Sequence, residues 1–104
     1  MNKEKYNQLE EILNSNIEDL GVVIWYHMFI DEQDIICKAL QGASEMQIKA
    51  VCNTVSRKMA RKILDNIQIY QCASAEEISE ARRILLVEIA GIKYGGEVCY
   101  CQYI

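Results

Sequence analysis

Residues that favour helix N-termini recur at short intervals along this chain, and this recurrence limits the possible folds more than any other feature. The segments SEMQ at 44–47 and SAEE at 74–77 have the form of a capping box, which satisfies backbone groups at the start of a helix. Asp31 and Ser56 are further N-cap candidates. Apolar residues at helical spacing follow each of them. The sequence therefore predicts several short helices.

Six helices are expected. They cover residues 3–13, 22–30, 32–40, 44–53, 56–70 and 74–94. The second (VVIWYHMFI) favours a strand by propensity, but no partner strand is evident nearby, so we predict a buried helix. Gly42 is expected to follow the third helix in the C′ position, and Gly95 with Gly96 to end the last one. The tail, residues 97–104, is too short to assign.

The size of the chain indicates one domain. It has 104 residues, of which 51% are hydrophobic, so it can bury one core but is too short for two domains. There is no proline, and the five glycines are few enough to suit helices with short connections. The predicted fold is therefore an all-α bundle of about six short helices.

Cysteine usage and hydropathy indicate a chain of the reducing cytoplasm. The five cysteines are an odd number, and the polar N-terminal segment MNKEKYNQLEE does not resemble a secretory leader. The longest apolar run, residues 22–30, is far shorter than the ~20 residues that span a bilayer. We expect free thiols and no membrane insertion.

The segment SRKMARKILDN, residues 56–66, carries the most distinctive charge pattern. Its charged residues are Arg57, Lys58, Arg61, Lys62 and Asp65. At 100° per residue they fall within an arc of about 140°, with apolar residues opposite. This pattern predicts an amphipathic helix with one charged face.

Three hypotheses account for that face. It could be a solvated surface on which Asp65 pairs with Arg61 and Lys62 at helical spacing. It could be a patch that contacts a charged protein partner. Nucleic-acid binding is disfavoured, because the net charge is −4, the pI is about 5.0, and no second basic element or aromatic platform accompanies the helix.

The order of these motifs resembles the C-terminal domain of the flagellar motor switch protein FliG. The segment ALQGAS at 39–44 is similar to the family's ALKGAS-like turn, and NTVS at 53–56 to its break before a charged helix. SAEEISEARRILL at 74–86 is similar to the next helix, and GEV at 96–98 to the terminal element. The pattern extends over residues 34–98 without a gap.

The resemblance implies an armadillo-like, all-α domain that has no enzymatic activity. It also implies that the charged helix faces the stator and transmits torque through charges of opposite sign. Lys58 matches a basic position of the family's ridge, and Asp65 the first of two adjacent acids. Gln41, Asn66 and Ser74 stand where the family has a lysine, the second acid and an arginine. Arg61 and Lys62 add cations that the family pattern does not require.

Residues 31–104 are assigned to this domain. Residues 1–30 are expected to form N-terminal helices that cap its core. The family's N-terminal and middle domains do not fit within 104 residues.

Other candidate sites have weaker support. Cys99 and Cys101 have a spacing that could supply half of a metal site, but a closed zinc site needs four ligands, so free thiols are expected. His27 lies in an apolar run and is expected to be a half-buried, hydrogen-bonded structural residue. We predict no catalytic residue, metal or cofactor.

The leading hypothesis is a cytoplasmic protein-interaction module of the rotor type. Lys58, Arg61, Lys62 and Asp65 would contact the cytoplasmic loop of the stator, or other rotor subunits, at the flagellar basal body. The alternative is an adaptor or regulatory protein of the same fold with no motor function. Its docking surface would be apolar and come from residues 22–30 or from the tail.

Overall fold

The computed structural model describes the backbone of residues 8–103 and the side chains of residues 8–92. Within these ranges there are six α-helices and one short 3-10 helix, and the predicted all-α, single-domain fold is confirmed. The elements are α1 (Gln8–Leu13), α2 (Ile17–Phe29), α3 (Gln33–Ala39), α4 (Glu45–Cys52), α5 (Arg57–Asn66), the 3-10 helix (Ile67–Tyr70) and α6 (Ala75–Tyr103).

The predicted serine caps start three of these helices. At α4 the hydroxyl of Ser44 accepts from the backbone N–H of Gln47, whose side chain accepts from the backbone N–H of Ser44. Ser74 and Glu77 form the same reciprocal pair at α6, at 3.1 and 2.9 Å. Ser56 caps α5. Local chemistry therefore sets these helix starts.

The second and third helices differ from the prediction at their ends. The Asn16 side chain caps α2, so this helix begins at Ile17 and continues through Gly21. Asp31 does not cap α3; it has a φ of 65°, and its N–H and that of Glu32 bond back to carbonyls of α2. This arrangement is a Schellman motif, in which aspartate tolerates the left-handed position that ends a helix.

The last two helices also differ from the prediction. The α-helical part of α5 ends at Asn66, and residues up to Tyr70 form the 3-10 helix. The expected stop at Gly95 and Gly96 is wrong, because α6 continues to Tyr103. Each helical glycine costs about 1 kcal/mol relative to alanine, but glycine retains its N–H and does not by itself break a helix.

All six helices contribute to one core around α6. Helix α6 packs against α1, α2 and α3, and α5 packs against α3 and α4. The buried residues of this hydrophobic cluster are Leu9, Ile12, Leu20, Val23, Ile24, Met28, Ile36, Ala39, Leu40, Val51, Ile63, Ala81, Leu85 and Ile89. Both α1 and α2 bury residues in this same core. The division of the chain between residues 30 and 31 that the sequence predicts would therefore pass through the core, and it remains a prediction.

Two glycines permit specific features of this packing. Gly42 has a φ of 82°, a conformation that glycine adopts at little cost. Because Leu40 is the C-cap of α3, Gly42 occupies the C″ position and not the predicted C′ position. A Cβ on Gly21 would lie 2.7 Å from the backbone carbonyl oxygen of Thr54. Gly21 thus allows α2 to approach the loop between α4 and α5 closely.

Replacing Gly21 with alanine is expected to destabilise the protein. Overpacking against the Thr54 carbonyl costs about 1–3 kcal/mol, and only part of it is offset by the better helix propensity of alanine, up to about 1 kcal/mol. Urea denaturation measures the change. Val22→Ala, at the neighbouring exposed position, is the control and should stay within about 0.5 kcal/mol. A Gly21→Ala protein as stable as the parent would contradict the close approach.

Candidate functional site: the charged face of α5

The charged residues of α5 form one continuous exposed surface, which we call the ridge. Its members are Arg57, Lys58, Arg61, Lys62 and Asp65, all exposed. The opposite side of the helix is anchored by Ile63, which has no exposed surface. Met59 and Ile67 pack against the same core. The predicted amphipathic helix is therefore observed, with its charges fixed on a scaffold.

Ridge charges form no ion pair within the side chains that the structure describes. The pairing of Asp65 with Arg61 and Lys62, which belonged to the hypothesis of a solvated surface, is not observed. Exposed pairs at helical spacing yield little free energy and cost side-chain entropy, so solvation can compete with them. The ridge thus presents cations and an anion that are not neutralised by each other.

Two ridge cations occupy an electrostatically unfavourable end of the helix. Arg57 and Lys58 lie in the first turn of α5, which contains no acidic residue. The helix dipole disfavours cations there by about 0.3–1 kcal/mol each at low ionic strength. Their charge therefore does not stabilise the helix that carries it.

An apolar residue borders the ridge. Leu64 was expected on the buried side, but 48% of it is exposed. At 100° per residue it falls about 20° from Arg57, outside the arc that faces the core. A partner that contacts the ridge would meet this leucine as well.

Gln41, which the resemblance places where the family has a lysine, forms hydrogen bonds within the fold. Its side-chain amide donates to the carbonyl of Ile67 at 2.8 Å and to that of Cys37 at 3.1 Å. The side chain thus joins the end of α3 to the 3-10 helix after the ridge. Arg82 of α6 donates to the carbonyls of Ala39 and Gln41 at the same helix end.

Asn66 and Ser74, the other two positions where the resemblance implies a charged residue, also form hydrogen bonds within the fold. Asn66 donates to the carbonyl of Lys62 at 2.7 Å and to the side chain of Gln33 at 3.3 Å. Ser74 is the N-cap of α6. Together with Gln41, these neutral residues satisfy backbone groups or bridge elements.

His27 forms a buried polar cluster with two carboxylates, and it is more buried than expected. Only 2% of the residue is exposed, so the prediction of a half-buried side chain is wrong in degree. Its Nδ1 lies 3.0 Å from an oxygen of Glu32, and its Nε2 lies 2.5 Å from an oxygen of Glu88. Both ring nitrogens can donate only in the imidazolium form, so this geometry favours the charged histidine.

The protonation of His27 follows from these neighbours. Burial by itself lowers the pKa of His27, but hydrogen bonds to Glu88 and Glu32 and their negative charges raise it by more. The net pKa of His27 is therefore above its ordinary value of 6.5. The Schellman turn after α2 brings the Glu32 carboxylate to Nδ1 of the ring, and α6 supplies Glu88 at Nε2.

The described cysteines are free thiols. Cys37 is buried, Cys52 is half-buried and Cys72 is exposed. Burial, with a smaller contribution from Asp34, raises the pKa of the Cys37 thiol to about 11, which makes it a poor nucleophile. The side chains of Cys99 and Cys101 lie outside the described residues.

Helix α2 carries an exposed aromatic surface, which the sequence analysis expected only under the alternative hypothesis of an apolar docking surface from residues 22–30. We call Val22, Trp25, Tyr26 and Phe29 the aromatic face; each of them is exposed. The residues that α2 buries lie on its other side. The spacing i, i+3, i+4, i+7 in VVIWYHMFI was the available signal, because it divides this apolar run into two helical faces.

The chain matches a known protein family. A family model described as the FliG C-terminal domain matches residues 3–98. No curated protein and no solved structure matches the chain. Among the described residues, none of the helices combines the length and hydropathy needed to cross a bilayer.

Proposed function

The chain belongs to the FliG C-terminal domain family, and from this membership we propose that its ridge contacts the cytoplasmic loop of the flagellar stator. The family is a rotor and switch domain of the flagellar motor and not an enzyme family. In this proposal the protein works in the cytoplasm at the basal body. Its ridge and the stator loop attract each other through opposite charges, and this attraction transmits torque.

The proposal rests on one observation: among the described side chains, the ridge charges form no ion pair. Lys58 and Asp65 supply charges of opposite sign on one helix, and neither has an ion-pair partner among the described residues. Electrostatic contacts between proteins need charges of this kind, exposed and held in register. Because Ile63 is buried, it anchors α5 to the core. A force that the partner exerts on the ridge would therefore be transmitted to the rest of the domain.

The proposed contact is limited to the residues that remain charged. Gln41, Asn66 and Ser74 form hydrogen bonds within the fold, so the ridge is confined to α5. Arg61 and Lys62 make this surface more basic than the family pattern requires. We therefore expect a stator loop that binds this protein to place acids opposite these cations and a basic residue opposite Asp65.

Reversal of two ridge charges tests the proposal. The double variant Lys58→Glu with Asp65→Lys keeps the net charge but exchanges the signs, so binding to a peptide of the stator loop should weaken at least tenfold (about 1.4 kcal/mol). Isothermal titration calorimetry measures this binding. The control exchanges Glu45 and Lys49, which are exposed on α4, and should change affinity less than twofold. Equal binding by the ridge variant and the parent would refute the stator contact.

An adaptor without motor function is the second candidate. The aromatic face of α2 favours it, because Trp25 and Phe29 are 50% and 70% exposed and lie away from the charged ridge in the sequence. A domain that acted only through charge–charge contacts would not require the exposed aromatic face. Deletion of the gene separates the candidates: a motor component is required for swimming, whereas an adaptor of another system is not.

A further inference from the structure

The aromatic face of α2 is a continuous apolar strip. Val22, Trp25, Tyr26 and Phe29 are 47%, 50%, 45% and 70% exposed. Trp25 and Phe29 stack, with ring centroids 5.1 Å apart and planes inclined by 14°. At 100° per residue the four side chains fall within an arc of about 100°, opposite the buried His27. The strip is therefore a pre-ordered surface.

This surface has the composition of a binding site. Contiguous exposed apolar patches are uncommon on soluble monomers and mark interaction sites when polar residues surround them. Tryptophan and tyrosine are the side chains that most often dominate binding energies at interfaces. Because Trp25 and Phe29 already stack, a partner that covers them pays little conformational entropy for ordering these rings.

Acidic residues mark both ends of the strip. Glu18 and Asp19 lie one turn before Val22, and the exposed Asp31 follows the end of the helix. The chain has no lysine or arginine between residues 8 and 37. His27 faces Glu32 and Glu88 in the interior. The strip is thus apolar in the middle and anionic at both ends.

Charge complementarity indicates which kind of partner fits the aromatic face. The acids span about 20 Å along α2, at 1.5 Å per residue, which equals some four turns of a helix. A second copy that packed its own aromatic face here would bring acids against acids. An anionic membrane would be repelled for the same reason. A helix with an apolar stripe and basic residues on either side fits both the strip and its ends, and its cations can also lie over the rings.

We propose that the aromatic face docks a basic amphipathic helix of a partner protein. This interaction is independent of the ridge, which carries the opposite charge and lies on α5. The protein would then hold two protein contacts of opposite electrostatic character.

The single tryptophan of the chain, Trp25, provides the test. An 18-residue peptide with leucines on one helical face and lysines on the other is titrated against the full chain. We expect a saturable blue shift of Trp25 emission at micromolar peptide. A peptide of the same composition in shuffled order should bind at least tenfold more weakly, and one with glutamate in place of lysine should not bind.

Variants connect the binding to the surface. Phe29→Ser should weaken binding of the lysine peptide at least tenfold, whereas Met46→Ser, at a 78% exposed site on α4, should change it less than twofold. The Lys58→Glu, Asp65→Lys ridge variant should bind as the parent does, which separates this proposal from the stator contact.

Three results would overturn the proposal. One is equal binding of the ordered and shuffled peptides. Another is undiminished binding by Phe29→Ser. The third is concentration-dependent self-association that Phe29→Ser abolishes, as measured by sedimentation velocity, because it would make a second copy the occupant.

Discussion

The free energy of unfolding is expected to fall as the pH rises from 6.5 through the raised pKa of His27. In the folded protein Glu88 and Glu32 favour the imidazolium, so the folded state holds this proton more tightly than the unfolded chain does. The stabilisation is complete below 6.5, the unfolded pKa, and is lost as the pH passes the higher folded pKa. A single group gives a slope of at most about 1.4 kcal/mol per pH unit.

His27→Gln tests the origin of this slope. Glutamine cannot carry the positive charge, so at pH 6 it should leave the carboxylates uncompensated and cost about 2–4 kcal/mol, below the usual value for a broken buried pair because Glu32 and Glu88 are partly exposed. The cost should shrink at higher pH. Urea denaturation between pH 5.5 and 8.5 measures both proteins.

The pH window is suited to this experiment because His27 is the only histidine of the chain. The Cys37 thiol, whose pKa is about 11, does not titrate there. Glu32→Gln is the intermediate control, since it removes one carboxylate and should reduce the slope without abolishing it. If His27→Gln retained the slope of the parent, the histidine would not be its source.

Ile63→Ala is expected to be far more destabilising than Leu64→Ala. The two residues are neighbours on α5, yet Ile63 is fully buried and Leu64 is 48% exposed. Truncation of a buried isoleucine costs about 2–5 kcal/mol, because apolar contacts are lost and a cavity remains. The exposed leucine should cost about 0.5 kcal/mol or less. Thermal or urea denaturation of both variants measures the difference.

This pair of variants also distinguishes the two sides of α5. Leu64→Ala should alter binding of a ridge partner while leaving stability nearly unchanged, because this side chain borders the ridge. Ile63→Ala should lower stability through the core. Similar losses of stability in both variants would mean that the helix is not seated on the core through Ile63.

Local signals predicted much of this fold. Ser44, Ser56 and Ser74 start helices as expected, because a cap needs only the side chain and the backbone of the next three residues. The sorting of charge along α5 likewise follows from helix geometry. The order of motifs led to the family, which the match over residues 3–98 supports.

Other features depend on contacts that are distant in the sequence. The amide of Gln41 reaches the carbonyl of Ile67, and the ring of His27 reaches Glu88, which is 61 residues away. No local pattern indicates these partners. The continuation of α6 through Gly95 and Gly96 is a similar case, since a glycine costs a helix only a modest free energy and does not determine its end.

The sequence by itself determined that this chain is helical, where most of its helices begin, and that α5 has one charged face, because capping and helical periodicity act over a few residues. Only the tertiary structure decided which apolar residues are covered. Val23 and Ile24 are buried while Trp25 and Phe29 of the same apolar run are exposed. Burial depends on the neighbouring helices, and among the described residues one side of α2 stays exposed.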